Sequence, residues 1–426
     1  MDVKWRLRTM HCILCAALGA FASLAHADHG EPGELEAFVS GLYGGNGLFL
    51  PPATGIPQQI ADAHVPHFTG PEQIAQLSAL STGVISATGV FALNSTVTGI
   101  TFDLSAGAPV QVEDSLGPLL AERAKTIGKG RLSFGLAYSS QEYDELDGDD
   151  LDEIQITLIH QDCCAVGPPP IPPPDGQRTG FEEDTIILDI DLNIKQEVWA
   201  LTTNYGITDN WDIGLVVPIV TLEAEAFSEA TIVLANAGST FNGNPVHSFG
   251  ADPNARFSST GGEETGLGDV ILRTKYNFSG DNAGWDLAVL GQVTFATGDE
   301  EDLLGTGETK FKGMFIASKQ YGWFSPHINL AYEAATSRNE LENYSYAVGF
   351  DARLTPTFTG GIDIIGRNNP HVDEIGNNIV DIAFSAKWNP FRNRNAPLTA
   401  FVSLPLNDDG LRSDVFWGVG IDFILN

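Results

Sequence analysis

The sequence predicts an all-β protein: an antiparallel transmembrane β-barrel of about 14 strands, with about 12 as the other even count. Three observations predict it. Apolar residues recur with period 2 from Arg131 to the end. The links between these runs are alternately short and long. Tryptophans gather at the short-link ends.

The alternation gives each run two faces. In "RLSFGLAYS", Leu132, Phe134, Leu136 and Tyr138 oppose Ser133, Gly135, Ala137 and Ser139. In "WDIGLVVPIV" the apolar face runs from Trp211 to Ile219, with Asp212 opposite. "DVILRTKYNF" sets Val270, Leu272, Tyr276 and Phe278 against Arg273 and Lys275. The same scheme puts Gln292, His327, Glu333, Asp381, Lys387 and Asp422 on polar faces of later runs. In a barrel with lipid outside, these polar faces turn inward. The nine candidate lumen residues are therefore Asp212, Arg273, Lys275, Gln292, His327, Glu333, Asp381, Lys387 and Asp422.

Alternation alone also suits a soluble sandwich; the links separate the two. "ITDN", "SGDNAG", "QYGWF", "TPT" and "NPFRNRNAP" are short. Between them lie residues 227–266, "TGDEEDLLGTGET", "SRNELEN", "RNNPHVDEIG" and "PLNDDGLR". Short turns at one end and longer loops at the other describe a membrane barrel. Trp211, Trp285, Trp323 and Trp388 sit beside the short links, with Tyr205 nearby. Such residues form a girdle where lipid meets water. A soluble sandwich has no reason to collect them at one end. The even count is completed by one more strand, Ser95–Ser105.

The segment before the barrel reads differently. Residues 1–27 have the form of an export signal: Lys4, Arg6 and Arg8, then an apolar core from Cys12 to Ala25, then "AHA" before a cut after Ala27. Residues 28–94 show no regular strand pattern and are expected to plug the lumen or cover its mouth. "TGPEQIAQLSAL" reads as a short helix, and Ser115–Gly130 as another turn or two. Residues 95–426 are then the barrel. No later run of apolar residues is long enough for a helical span.

Composition removes several functions. The chain carries 22 Lys+Arg against 55 Asp+Glu, a formal charge of −33. Loss of residues 1–27 removes three positive charges and one negative, which takes it to −35. Nucleic acid is excluded, because its recognition needs basic surface. Two of the 4 cysteines, Cys12 and Cys15, leave with the signal, and the adjacent Cys163 and Cys164 read as a loop feature.

No catalytic, cofactor-binding or metal-binding set emerges. Asp209 and Asp212 flank a turn between two strands without a partner base, so they are not a catalytic pair. "EYDELDGDDLDE", Glu142 to Glu153, holds 8 acidic residues but lacks calcium-loop spacing. It reads as a solvated hairpin, with a weak divalent-ion site as the alternative. Asp62, His64 and His67 have no further ligand nearby. Neither "GLGD" nor "TGDEEDLLGTGETK" is a phosphate loop, and no nucleophile elbow is present.

One irregularity stands out in "TIILDIDLNIKQEVWALTTNY". Apolar residues occupy even positions up to Ile194, and Trp199, Leu201 and Tyr205 then occupy odd ones. Lys195, Gln196 and Glu197 mark the change. Either the strand leaves the membrane there, or a bulge kinks the wall open. Unbroken pairing through these residues excludes the kink.

Four stretches together resemble a known family: "SLGPLLAERAKTIGKGRLSFGLAYS", "YGITDNWDIGLVVP", "GLGDVILRTKY" and "TGDEEDLLGTG". It is the group of outer-membrane proteins associated with phenol degradation by the meta pathway, to which "DAHVPHF" is also similar. The resemblance implies a barrel in the outer membrane of a Gram-negative cell. By analogy with fatty-acid and toluene channels, it implies passive uptake of small hydrophobic compounds, aromatic ones foremost. It carries over no ligand residues. The expected partners are outer-membrane lipid and the solute, with oligomeric state left open. The alternatives are a general or cation-preferring porin, or a surface adhesin or structural barrel.

Overall fold

The computed structural model describes residues 102–103, 110–111, 120–159, 183–235, 240–241, 243–249, 255–279, 284–371, 377–390 and 396–425. The signal segment, residues 28–94, residues 160–182 with Cys163 and Cys164, and most of Ser95–Ser105 lie outside them.

One antiparallel sheet of 14 members dominates. In chain order they are β1 (Leu132–Tyr143), β2 (Ile154–Ile159), β3 (Thr185–Thr208), β4 (Trp211–Val233) and β5 (Ala255–Leu267). Next come β6 (Val270–Asn277), β7 (Asp286–Phe295), β8 (Lys310–Ser318), β9 (Phe324–Ala335) and β10 (Asn343–Thr355). The last four are β11 (Phe358–Asn368), β12 (Asn378–Trp388), β13 (Leu398–Pro405) and β14 (Phe416–Leu425).

Twelve of the 14 close into a barrel, all except β2 and β5 at the ends of the order. The first and last strands seal it, with Leu132↔Leu425 through Ser140↔Trp417. The count of 14 is thus a property of the sheet and not of the cylinder. Of the expected extra strand at Ser95–Ser105 only Phe102 and Asp103 are described, and among the described residues they pair with Val110–Gln111. β2 and β5 alternate like barrel strands because they extend the upper halves of β3 and β4, beyond the barrel rim.

The β3–β4 hairpin shows why. Its strands have 24 and 23 residues, against about 9–11 for a membrane crossing. The ladder runs in one register from Thr185↔Val233 to Gly206↔Asp212. β1 also pairs without a shift from Tyr143↔Ile194 to Leu132↔Tyr205. Lys195, Gln196 and Glu197 therefore form no bulge, and the kink expected there is absent. Even-numbered side chains of β3 point inward along its whole length. What changes is the surroundings. Below, the outward Trp199, Leu201, Thr203 and Tyr205 meet lipid. Above, the outward Asp189, Asp191 and Asn193 meet water, and Ile186 to Ile194 turn inward into an apolar core with Leu158, Leu222, Leu303 and Leu411. The change at Lys195–Glu197 marks the membrane surface, with Lys195 and Glu197 paired on the outer face at 2.8 Å.

A real irregularity lies on the other edge of β4. Leu267 pairs with Ile219 and Ile271 with Val216, so β5–β6 carries one residue more than β4 over this interval. The bulge falls at Gly268–Asp269, opposite Pro218, whose carbonyl accepts the Gly268 N–H.

Outward side chains form an apolar band that includes Ile213, Leu215, Leu272, Val289, Leu330, Ile364 and Val419, all exposed. The girdle residues Tyr205, Trp211, Trp285, Trp323 and Trp388 are likewise exposed at its lower edge, beside the short turns. A second aromatic belt marks the upper edge. Tyr138 sits between Trp199, tilted at 4.9 Å, and Trp417, edge-on at 5.6 Å, and Tyr332 lies 4.8 Å from Tyr344.

Candidate functional site

The lumen has two storeys. The lower is filled by residues 121–130, which run through the barrel before entering β1. The helix expected here does not form; 121–130 is irregular, with bends at Ala121 and Ala124 and a turn at its end. Inward side chains take over the hydrogen bonds that a helix would have made. Asn329 brackets Glu122, accepting its N–H at 2.7 Å and donating to its carbonyl at 2.9 Å. Ser318 Oγ accepts from Ala124 N, and Asn277 donates to the Ala124 carbonyl at 3.0 Å. Asp212 accepts from Ile127 N at 2.9 Å.

Two of the segment's charges, Glu122 and Arg123, are matched as well. Arg123 grips Asp351 with two hydrogen bonds, at 3.2 and 2.5 Å. Glu122 meets Lys275 Nζ and Arg273 Nη1, each at 3.2 Å. Lys275 also donates to the Arg123 carbonyl at 3.0 Å. His327 Nε2 lies 2.5 Å from Asp363. Buried charges are tolerated only with such partners.

At the short-turn end of the barrel the segment crosses the β3–β4 turn. Gly130 N–H donates to Gly206 O at 2.7 Å, and Gly206 N–H to Arg131 O at 3.0 Å. A Cβ on Gly206 would stand 1.9 Å from Gly128 O, so only glycine fits. Gly128 and Gly130 both have positive φ, which suits glycine. Asp209 accepts from Lys129 N at 3.1 Å, while Thr208 Oγ1 accepts from Asn210 N at 3.2 Å to shape the turn itself.

The upper storey is open. A cavity of about 330 Å³ lies above Glu122. Leu120, Ile271, Met314, Ile365, Ile379 and Phe416 give it apolar walls, and Arg273, Lys310, Lys312, Arg367 and Arg412 give it positive ones. Glu122, Asp269, Glu333 and Asp381 supply the carboxylates.

Asp269, at the bulge, organises the roof. Its buried carboxylate accepts the N–H groups of Thr297, Gly298 and Thr306 and the Thr306 hydroxyl, all at 2.9–3.2 Å. The 296–309 loop therefore folds inward, unlike the free outer loop that its acidic sequence suggests. Leu304 packs on Val198 and Val220, across the bulge, and Leu303 joins the apolar core. Glu308 fixes the far end, accepting from the Thr336 hydroxyl and from Ser337 N at 3.0 Å. The Thr336 hydrogen bond holds its carboxyl below the usual range.

Of the predicted lumen residues, Arg273, Gln292, Glu333 and Asp381 line the cavity. Asp212, Lys275 and His327 belong to the lower storey and are buried, as is Lys387, whose charge acts on Asp422. Sequence reasoning missed Glu122, Arg123, Asp269, Asp351, Asp363, Arg367 and Arg412. Asp363 was legible in principle, alternating with Ile362 and Ile364. In the acidic stretch Glu142–Glu153, Asp144 and Asp147 accept backbone N–H groups of Asp414 and Gly410. Among the described residues, no three His, Cys, Asp or Glu side chains gather as ion ligands.

Residues 174–363 match the family model described as "Putative MetA-pathway of phenol degradation". No curated protein matches the chain. Among solved structures it is similar to the COG4313 outer membrane channel from Pseudomonas putida F1, at 11% identity and a TM-score of 0.42, over 72% of this chain and 99% of that one. It is also similar to the Ralstonia pickettii toluene transporter TbuX, at 10% identity and 0.32, over 70% and 89%. A third is a Pseudomonas aeruginosa FadL homologue, at 10% and 0.32, over 69% and 89%.

Proposed function

We propose that the protein is a passive outer-membrane channel for small hydrophobic compounds, aromatic ones among them, and not an enzyme. The observation that carries this reading is the contrast within the lumen. The lower storey is packed with a pinned, charge-matched segment, which suits neither a general nor a cation-preferring porin. The upper storey offers a cavity with apolar walls and a few polar groups, in the size range of small-molecule sites. The family match and the similar channels agree with it. The lipid-facing band and its two aromatic belts suit an outer-membrane location, reached after loss of residues 1–27. The −33 charge that suggested a cation porin is spent partly on outward carboxylates of the β3–β4 arm, Asp189, Asp191 and Glu225.

The test is uptake of radiolabelled toluene by a deletion strain, with and without the plasmid-borne gene. The expected result is slower uptake in the deletion strain and recovery on complementation. Equal uptake in both strains overturns the reading. Large, steady ionic currents in planar bilayers would favour the porin instead.

A further inference from the structure

The wall of the upper cavity formed by β8, β9, β11 and β12 holds more positive charge than it can neutralise. Lys312 and Arg367 on this wall, with Arg412 from the segment before β14, face two carboxylates, Glu333 and Asp381. Both carboxylates are committed. Glu333 lies 3.1 Å from Lys312 and accepts from Asn343. Asp381 is taken by Arg412 Nη2.

Arg367 is left over. Glu333 and Asp381 are near enough to act on it, yet among the described residues it makes no hydrogen bond or ion pair. Two more donors stand beside it. Arg412 is 94% buried, with its Nε hydrogen unclaimed. The Tyr143 hydroxyl accepts from Gln141 at 2.6 Å, which leaves its own proton to give. Guanidinium does not shed its charge, so an Arg facing a partly apolar cavity is a ready site for an anion. A planar fork with a further N–H and an O–H nearby matches a carboxylate. Ile379 is the cross-strand partner of Arg367, and Ile365 that of Asp381, so apolar surface adjoins the donors.

We propose that this cavity binds the carboxylate of a small amphiphilic acid, an aromatic or short acyl monocarboxylate, at Arg367 and Arg412. The apolar body lies against Ile365 and Ile379. The acidic exterior opposes a free anion, so selection for it takes place at these donors. This inference rests on the cavity being the solute's resting place and names the solute's chemical class.

The test compares benzoate with its neutral ester, methyl benzoate, by calorimetric titration of the full chain in a non-ionic detergent. Benzoate is expected to bind about tenfold more tightly, the contribution of one charge-assisted contact. Arg367→Gln should abolish that preference and leave ester binding unchanged, and Arg367→Lys should keep part of it. Equal binding of acid and ester overturns the proposal, as does Arg367→Gln weakening both alike or binding of neither. The gel mobility of unheated samples shows whether the variants remain folded barrels. Failure here is separate from failure of the channel reading, because toluene uptake involves no carboxylate.

Discussion

The two storeys of the lumen are built by the same strands and obey the same alternation, yet they solve opposite problems. In the lower storey every named charge has a partner, and the ten residues 121–130 are threaded between them. In the upper storey the inward faces keep apart and a cavity remains. The difference lies in what each face meets. Asp212, Lys275, Asn277, Ser318, Asn329 and Asp351 meet a chain segment whose N–H and carbonyl groups must be satisfied. Gln292, Ile365 and Arg367 line open space. Polar inward faces therefore do not by themselves make an aqueous pore; the segment they hold decides.

Arg123→Ala attacks this contrast most severely. It strips Asp351 of its two-pronged partner in a closed space, at a cost of about 3–5 kcal/mol. The thermal transition in detergent should fall, and ion conductance should rise as 121–130 loosens. Unchanged values for both would mean that the segment is held by its backbone contacts alone. Asp269→Ala acts on the roof. Three backbone N–H groups and a hydroxyl lose their acceptor, at about 3 kcal/mol. Limited proteolysis should then cut within 299–305, which the parent chain resists. Gly206→Ala is smaller, about 1–3 kcal/mol, since the crossing at Gly128 must shift to admit a methyl group. Hydrogen exchange at Gly130 should quicken while the Thr297 and Thr306 amides stay protected.

The smallest expected effect is one of pH. Glu308 has its carboxyl lowered from the ordinary 4.5, first by the Thr336 hydrogen bond. A depressed folded-state value gives stability that is present above pH 4.5 and lost as the pH falls through the lowered value. A fluorophore on the 296–309 loop should report loosening only below that point. Glu308→Gln should remove the dependence.

Much of this architecture was legible in the chain. Trp211, Ile213 and Leu215 alternating with Asp212 name both a lipid face and a lumen face. The inward placement of His327, Glu333 and Lys387 follows from the same period. Three things were not legible. The number of strands in the cylinder was hidden, because β5 alternates as β6 does and only pairing tells rim from wall. The path of 121–130 was hidden, because its conformation is set by distant acceptors such as Asp212 and Ser318, and local propensity pointed to helix. The meaning of Lys195–Glu197 was ambiguous, since a change of solvent and a change of register leave the same mark in a sequence. Asp209 and Asp212, which first read as a turn with a spare pore aspartate, are both fastened to the threaded segment.

The β3–β4 hairpin continues for about 14 residues beyond Ile219, which at strand spacing is roughly 45 Å of tilted ribbon. That is more than a bilayer's hydrocarbon thickness. In the proposed outer-membrane channel the ribbon would stand clear of the bilayer, with acidic side chains outward. An antibody, a phage tail or a secreted protease would meet it well before reaching the barrel. A peptide tag placed near Val233 would report on intact cells how many copies stand correctly in the membrane.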